Sequence, residues 1–175
     1  MLINDYNKFY SSYFTGKEFQ EHQEKSIQLL KNKKRIFFIG NGGSNSICSH
    51  MMEDFAKIGR YQTFAFSDAA LITCFANDYG YEKAMAEWLK VFFEKDDVLV
   101  GISSSGNSMN IINAVDQAKS VGGKVITLTG FKPGNPLKQK GDINFHLPVE
   151  NFGVAECFHQ VVLHSILDEL VLLKK

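Results

Sequence analysis

Apolar, β-branched and aromatic residues collect in five short runs: RIFFI (35–39), QTFAF (62–66), DVLVGI (97–102), KVITLTG (124–130) and INFHLP (143–148). Each has strand length, and each is followed by a stretch that reads as helix. Strands alternating with helices predict parallel neighbours joined by right-handed crossovers, with both sheet faces covered. The expected fold is α/β, a single doubly wound, five-stranded parallel sheet in flavodoxin-like order. Ahead of the first run, GKEFQEHQEKSIQLLKNKK (16–34) has amphipathic spacing and predicts an added N-terminal helix. Residues 1–33 are accordingly read as a helical segment and 34–175 as the α/β domain. The last stretch, FHQVVLHSILDELVLL (158–173), is apolar on nearly every side. A helix without a clear polar face needs cover in several directions, so subunit contact is expected.

Composition narrows the setting. The 175 residues, 45% of them hydrophobic, suit one domain with a full core. Nineteen basic and nineteen acidic side chains cancel, so the chain presents no overall field for nucleic acid or an anionic bilayer, and any anion site must be local. Cys48, Cys74 and Cys157 are odd in number and contain no CxxC, which argues against a disulfide framework and a cysteine zinc site and fits a reducing cytoplasm. MLINDYNKFYSS lacks the regions of a signal peptide, and no apolar run reaches membrane-spanning length.

Two loops carry candidate chemistry. After the first strand, Gly40-Asn41-Gly42-Gly43-Ser44-Asn45 opens a helix. A dinucleotide fingerprint would need a third Gly where Asn45 stands, and Asp68 lies farther on than the usual ~20 residues for a ribose-binding acid. No GxxxxGK[ST] loop is present. The glycines instead permit a tight turn close to a ligand, with helix N–H groups facing it. After the third strand, Ser103-Ser104-Ser105-Gly106-Asn107-Ser108 places four hydroxyls ahead of a helix beginning near Met109. Hydroxyls at a helix N-terminus can hold phosphate oxygens without Lys or Arg. Both loops follow strands expected to be neighbours, at the crevice where such folds bind ligands, and together they point to a phosphorylated small molecule.

These motifs, with SDAALITCFANDYGYE (67–82) and DVLVGISSSGNSMNIINAVDQAKSVGGKVITLTG (97–130), resemble the phosphoheptose isomerase group of the sugar isomerase (SIS) domain family. The likeness runs from about Lys34 to the end. It implies a phosphosugar-binding domain at 34–175, a homotetramer with active sites at subunit interfaces, and conversion of sedoheptulose 7-phosphate to D-glycero-D-manno-heptose 7-phosphate. That product feeds bacterial surface-polysaccharide, and hence lipopolysaccharide, synthesis. By the same resemblance Asn41, Gly42, Gly43, Ser44, Asn77, Asp78, Ser103, Ser104, Ser105 and Ser108 would bind the substrate. Some family members are non-catalytic and bind a protein such as a replication initiator, so a phosphosugar-sensing module is the alternative.

Moving a carbonyl between C1 and C2 needs a base, an acid or metal to stabilise the enediolate, and return of the proton. His50 and Asp54 are four apart and share a helix face. Glu156 and His164 are eight apart, about 80° around a helix axis, and can point one way. The resemblance makes Asp54 the general base and His164 the acid, with His50, Asp54, Glu156 and His164 as ligands of one zinc ion per site. This chain departs from the family in carrying Asp54 for Glu and Glu156 for Gln, a donor set formally neutral around zinc. His159, three residues after Glu156, could take the place of His164. Lys57 and the Gly59-Arg60-Tyr61 triplet are further positions that could face the sugar.

Overall fold

The computed structural model describes residues 3–33 and 35–174. The expected segment boundary at Lys34 lies outside the described residues, as do Met1, Leu2 and Lys175. Five parallel strands, β1 (Arg35–Ile39), β2 (Gln62–Ala65), β3 (Val98–Ser103), β4 (Lys124–Gly130) and β5 (Ile143–Leu147), form one sheet in the order β2-β1-β3-β4-β5. The pairing runs Phe37 beside Leu99 and Phe64, and Val100 beside Ile126, which puts the C-terminal ends of β1 and β3 next to each other. All six residues of β3 are buried, as a central strand covered on both faces requires.

Side-chain alternation divides the core in two. Ile36, Phe38, Val98, Val100 and Ile102 point to one face, where they meet Met51, Phe55, Phe158, Val162 and Ile166. Phe37, Ile39 and Leu99 point to the other and meet Trp88, Leu89, Ile111 and Val115. The first layer is built by α2 (Lys17–Leu30), α3 (Gly43–Lys57) and α7 (Phe152–Leu172), the second by α5 (Tyr81–Phe92) and α6 (Met109–Ser120). The periodicity of α3 explains its seat, because Ile47, Cys48, Met51 and Phe55 make one buried stripe and leave His50 and Asp54 on the adjoining face.

The N-terminal segment holds two helices where the sequence pattern indicates one. Besides α2 there is α1 (Ile3–Phe14), with Tyr6, Phe9, Tyr10, Tyr13 and Phe14 packed on the first core layer and the Tyr10 hydroxyl donating to the Val154 carbonyl at 2.8 Å. Its aromatic residues mask a helical period that a search for aliphatic stripes passes over. The final helix buries nine residues yet leaves Val161, Leu172 and Leu173 exposed. The helix α4 (Ala69–Tyr79) buries none completely, although Leu71, Ile72 and Phe75 lie on it. Among the described residues no helix is long and apolar enough to cross a membrane.

Candidate functional site

The two loops meet as their strand positions require. A cavity of about 100 Å³ is lined by Asn41, Ser44, Ile102, Ser103, Ser104, Ser105, Ser108, Phe152 and Glu156. Ser44 sits in the first turn of α3, Ser108 is the N-cap of α6, and Phe152 begins α7. Three helix N-termini therefore border one small hollow, an arrangement that favours an anion. The hydroxyls are arranged as donors. Ser103 Oγ accepts from the Gly106 amide and donates to Ser108 Oγ at 3.2 Å, which leaves the Ser108 hydrogen free to turn inward. Ser105 Oγ accepts from the Asn107 amide and keeps its own hydrogen, and the buried Ser104 hydroxyl has no partner among the described residues. Gly106 holds a φ of 66° and packs against Asn135, a place and a conformation that exclude a side chain.

Asn41 links this hollow to a second one of about 400 Å³, lined among others by Gly42, Asn45, Ser49, Phe66, Tyr81 and Met85. Its amide pairs face to face with that of Asn110, Nδ2 to Oδ1 at 3.0 Å and back at 2.8 Å, and its Oδ1 also accepts from the Tyr81 hydroxyl at 2.8 Å. The Asn41 side chain is thus a strut between the loop and α5 and α6. Asn45 donates to the carbonyls of Gly40 and Phe66, tying the loop to the end of β2 where a dinucleotide site would need an open glycine. Asp68 caps α4 by accepting from the Leu71 amide, an ordinary helix-start role.

A second group stands farther along the same two helices. Asp54 Oδ2 lies 3.3 Å from His50 Nε2 and 3.8 Å from His164 Nδ1, and the two imidazoles meet edge to face at 5.3 Å. The donor atoms of His50, Asp54 and His164 all fall within 4.8 Å of one another. Two imidazole nitrogens and a carboxylate oxygen are donor types that a divalent metal such as zinc takes, and the group could hold such an ion. Ten residues of α3 separate Ser44 from Asp54, about 15 Å of helix axis, shortened by the tilt of side chains toward the N-terminus.

The structure brings three of the four expected metal residues together and sets Glu156 apart. Its carboxylate lies against Gly43, at the start of α3, and lines the serine hollow instead. Eight residues of α7 impose about 12 Å of rise along with the 80° of rotation. His159 faces the core, fully buried, and burial pushes its pKa down to about 4. His164, partly exposed and beside Asp54, is the histidine at the site. Asn77 and Asp78 sit exposed in the last turn of α4, bonded to each other at 2.9 Å, and line neither cavity. Lys57 pairs with Glu53 at 3.9 Å on an exposed face, and Arg60 is an exposed residue at φ 59° leading straight into β2.

Residue-type reasoning passes over Asn110, Tyr81, Phe152 and Gln160. Asn110 could have been noticed as an amide in the first buried turn of α6, two residues past the N-cap. Gln160 lies four before His164, hence on its face of α7. Its amide nitrogen is 2.9 Å from His164 Nε2 and 3.2 Å from Met51 Sδ.

Comparisons with known proteins agree with this fold. The SIS domain family model matches residues 17–130. The phosphoheptose isomerase of Fusobacterium nucleatum is 34% identical over 168 residues, covering 92% of this chain and 85% of that protein. That of Helicobacter pylori strain P12 is 34% identical over 148 residues, 81% of this chain and 77% of its own. Among solved structures, the phosphoheptose isomerase of Neisseria gonorrhoeae superposes with a TM-score of 0.82 at 27% identity, covering 95% of this chain and 93% of that one.

Proposed function

Because the chain belongs to the SIS domain family, and relatives that it matches along most of their length are phosphoheptose isomerases, we propose that it is an aldose–ketose isomerase converting sedoheptulose 7-phosphate to D-glycero-D-manno-heptose 7-phosphate. The observation that carries the reading is the pairing, on α3 and α7, of a serine-lined anion hollow with a carboxylate–imidazole group.

Ser44, Ser103, Ser104, Ser105 and Ser108 hold the phosphate through hydroxyls and helix ends; no Lys or Arg lines the hollow. Asp54 takes a proton from C1 of the open-chain ketose, with an imidazole on either side of its Oδ2. As the C1–H electron pair becomes the C1=C2 bond of the enediol, the C2 carbonyl oxygen receives a proton from His164. Asp54 then returns its proton to C2 while the O1 proton passes back to His164, leaving the aldehyde at C1. His50, Asp54 and His164 would hold the zinc ion expected from the family, which when bound supplies Lewis-acid polarisation of the carbonyl. The non-catalytic alternative leaves this group without a role.

A cytoplasmic homotetramer completes the proposal. The apolar residues of α4 that the core covers only in part, together with the exposed Val161 and Phe92, support burial against further copies of the chain. Light scattering is expected to give four times the chain mass; a monomer at every concentration would refute the assembly. Incubation with sedoheptulose 7-phosphate, against pentulose and hexulose phosphates, is expected to yield aldose product and solvent exchange at C1 and C2. Absence of exchange with every ketose phosphate would overturn the enzymatic reading.

A further inference from the structure

His164 is held on two sides. Its Nδ1 faces Asp54 Oδ2 at 3.8 Å, and its Nε2 faces the side-chain nitrogen of Gln160 at 2.9 Å. The orientation of the Gln160 amide follows from its other neighbour. Met51 Sδ, 3.2 Å away and fully buried, is a weak acceptor, which favours the amide –NH2 on that side in this structure; turning the carbonyl there gives up this contact. An –NH2 group aimed at a neutral imidazole nitrogen finds a lone pair there. The ring hydrogen then sits on Nδ1, pointed at the carboxylate.

We propose that Gln160 is the positioning residue that sets the tautomer of His164, and that its amide offers two settings. With the nitrogen toward His164, as in this structure, Nδ1 carries the hydrogen and the ring can donate a proton beside Asp54. Turned over, the Gln160 carbonyl accepts from Nε2–H, and Nδ1 presents a lone pair toward His50 Nε2 and Asp54 Oδ2. The first setting serves proton transfer and the second serves a cation among His50, Asp54 and His164. A histidine ligand commonly donates its other ring N–H to such an oxygen, and loss of that partner costs 10–100-fold in metal affinity or activity. The proposal rests on His164 belonging to the site, but not on the identity of the sugar.

The test uses the full chain as parent, Gln160→Glu and Gln160→Leu. The first variant can only accept from the ring and the second can do neither. In ¹⁵N-histidine NMR of metal-free protein, with His164→Gln used to assign the signal, the parent is expected to show the Nδ1–H tautomer and Gln160→Glu the Nε2–H tautomer. In calorimetry with zinc alone, Gln160→Glu should bind more tightly than the parent and Gln160→Leu about 10–100-fold less tightly than Gln160→Glu. Gln160→Leu should also lower kcat with KM little changed, which a general loss of fold would not do. A parent already in the Nε2–H form, or a tautomer unchanged in both variants, overturns the role in proton transfer. Equal zinc affinities, or no zinc binding by any of the three proteins, overturn the second setting. Because the NMR readout needs no turnover, a protein inactive on every sugar still decides it.

Discussion

The carboxylate of Glu156 rests so close to Gly43, the first residue of α3, that a Cβ there would stand 2.5 Å from Oε1. A carboxylate therefore borders the hollow proposed for the substrate's phosphate, a like charge placed where three helix N-termini otherwise favour an anion.

Replacing that charge should be visible in binding. Glu156→Gln keeps the shape and removes the repulsion, so inorganic phosphate and the sugar phosphate are expected to bind roughly three- to tenfold more tightly at low ionic strength and with a smaller gain at high salt. Calorimetry at two salt concentrations checks this. Unchanged affinity would mean that the carboxylate swings out of the hollow when phosphate enters.

The Asn41–Asn110 pair predicts a joint effect on stability and binding. Asn110→Leu leaves the Asn41 amide with buried hydrogen-bonding capacity unmet, a loss of about 1–3 kcal/mol in urea unfolding. Because Asn41 lines both cavities, KM for the sugar phosphate should rise in the same variant. A loss of stability with KM unaltered would make the strut purely architectural.

Strand order and the two ligand loops were legible in the sequence because each depends on local signals. RIFFI and DVLVGI are continuous apolar runs, as strands buried on both faces must be, and their neighbouring C-terminal ends place Ser44 and Ser103 in one hollow. The His50, Asp54 and His164 grouping was only partly legible. Projection down α7 fixes the angle between Glu156 and His164 but not the helix rise that carries Glu156 to Gly43. Asn77 and Asp78 stand by resemblance at the substrate, whereas they lie in the last turn of α4, which Gly80 caps. Asn110 pairs with a residue 69 positions away, and no spacing rule announces such a pair.

Acid should weaken the fold through two histidines remote from the chemistry. Burial lowers the pKa of His146 and of His159 to about 4, against the ordinary 6.5. The unfolded chain therefore binds more protons than the folded one between those values, and stability rises with pH across that window. It is fully present above about pH 6.5 and is lost as pH falls toward 4, by an amount on the order of a few kcal/mol. Urea midpoints measured from pH 7 down to about 4.5 should fall, and His159→Leu should flatten the slope. An equally steep decline in that variant would place the acid sensitivity elsewhere.

The sharpest test of the reaction lies at Asp54. Its Oδ2 lies within 4 Å of both His50 and His164, so a base there sits among groups that can supply and recover protons within a few ångströms. Asp54→Asn retains size and most packing while removing proton abstraction. Turnover should fall by about 10²–10⁴-fold, the usual contribution of one general acid–base group, and binding at the distant serine hollow should persist. Asp54→Glu restores the longer side chain of the resembled family. If reach toward C1 limits the parent, turnover is kept or raised. If the site is built around the shorter carboxylate, the extra methylene displaces the oxygen from both imidazoles, and activity and zinc affinity fall together. Solvent exchange at C1 and C2, followed by NMR, reads proton transfer directly in all three proteins, and exchange by Asp54→Asn at the parent's rate would move the base to another residue.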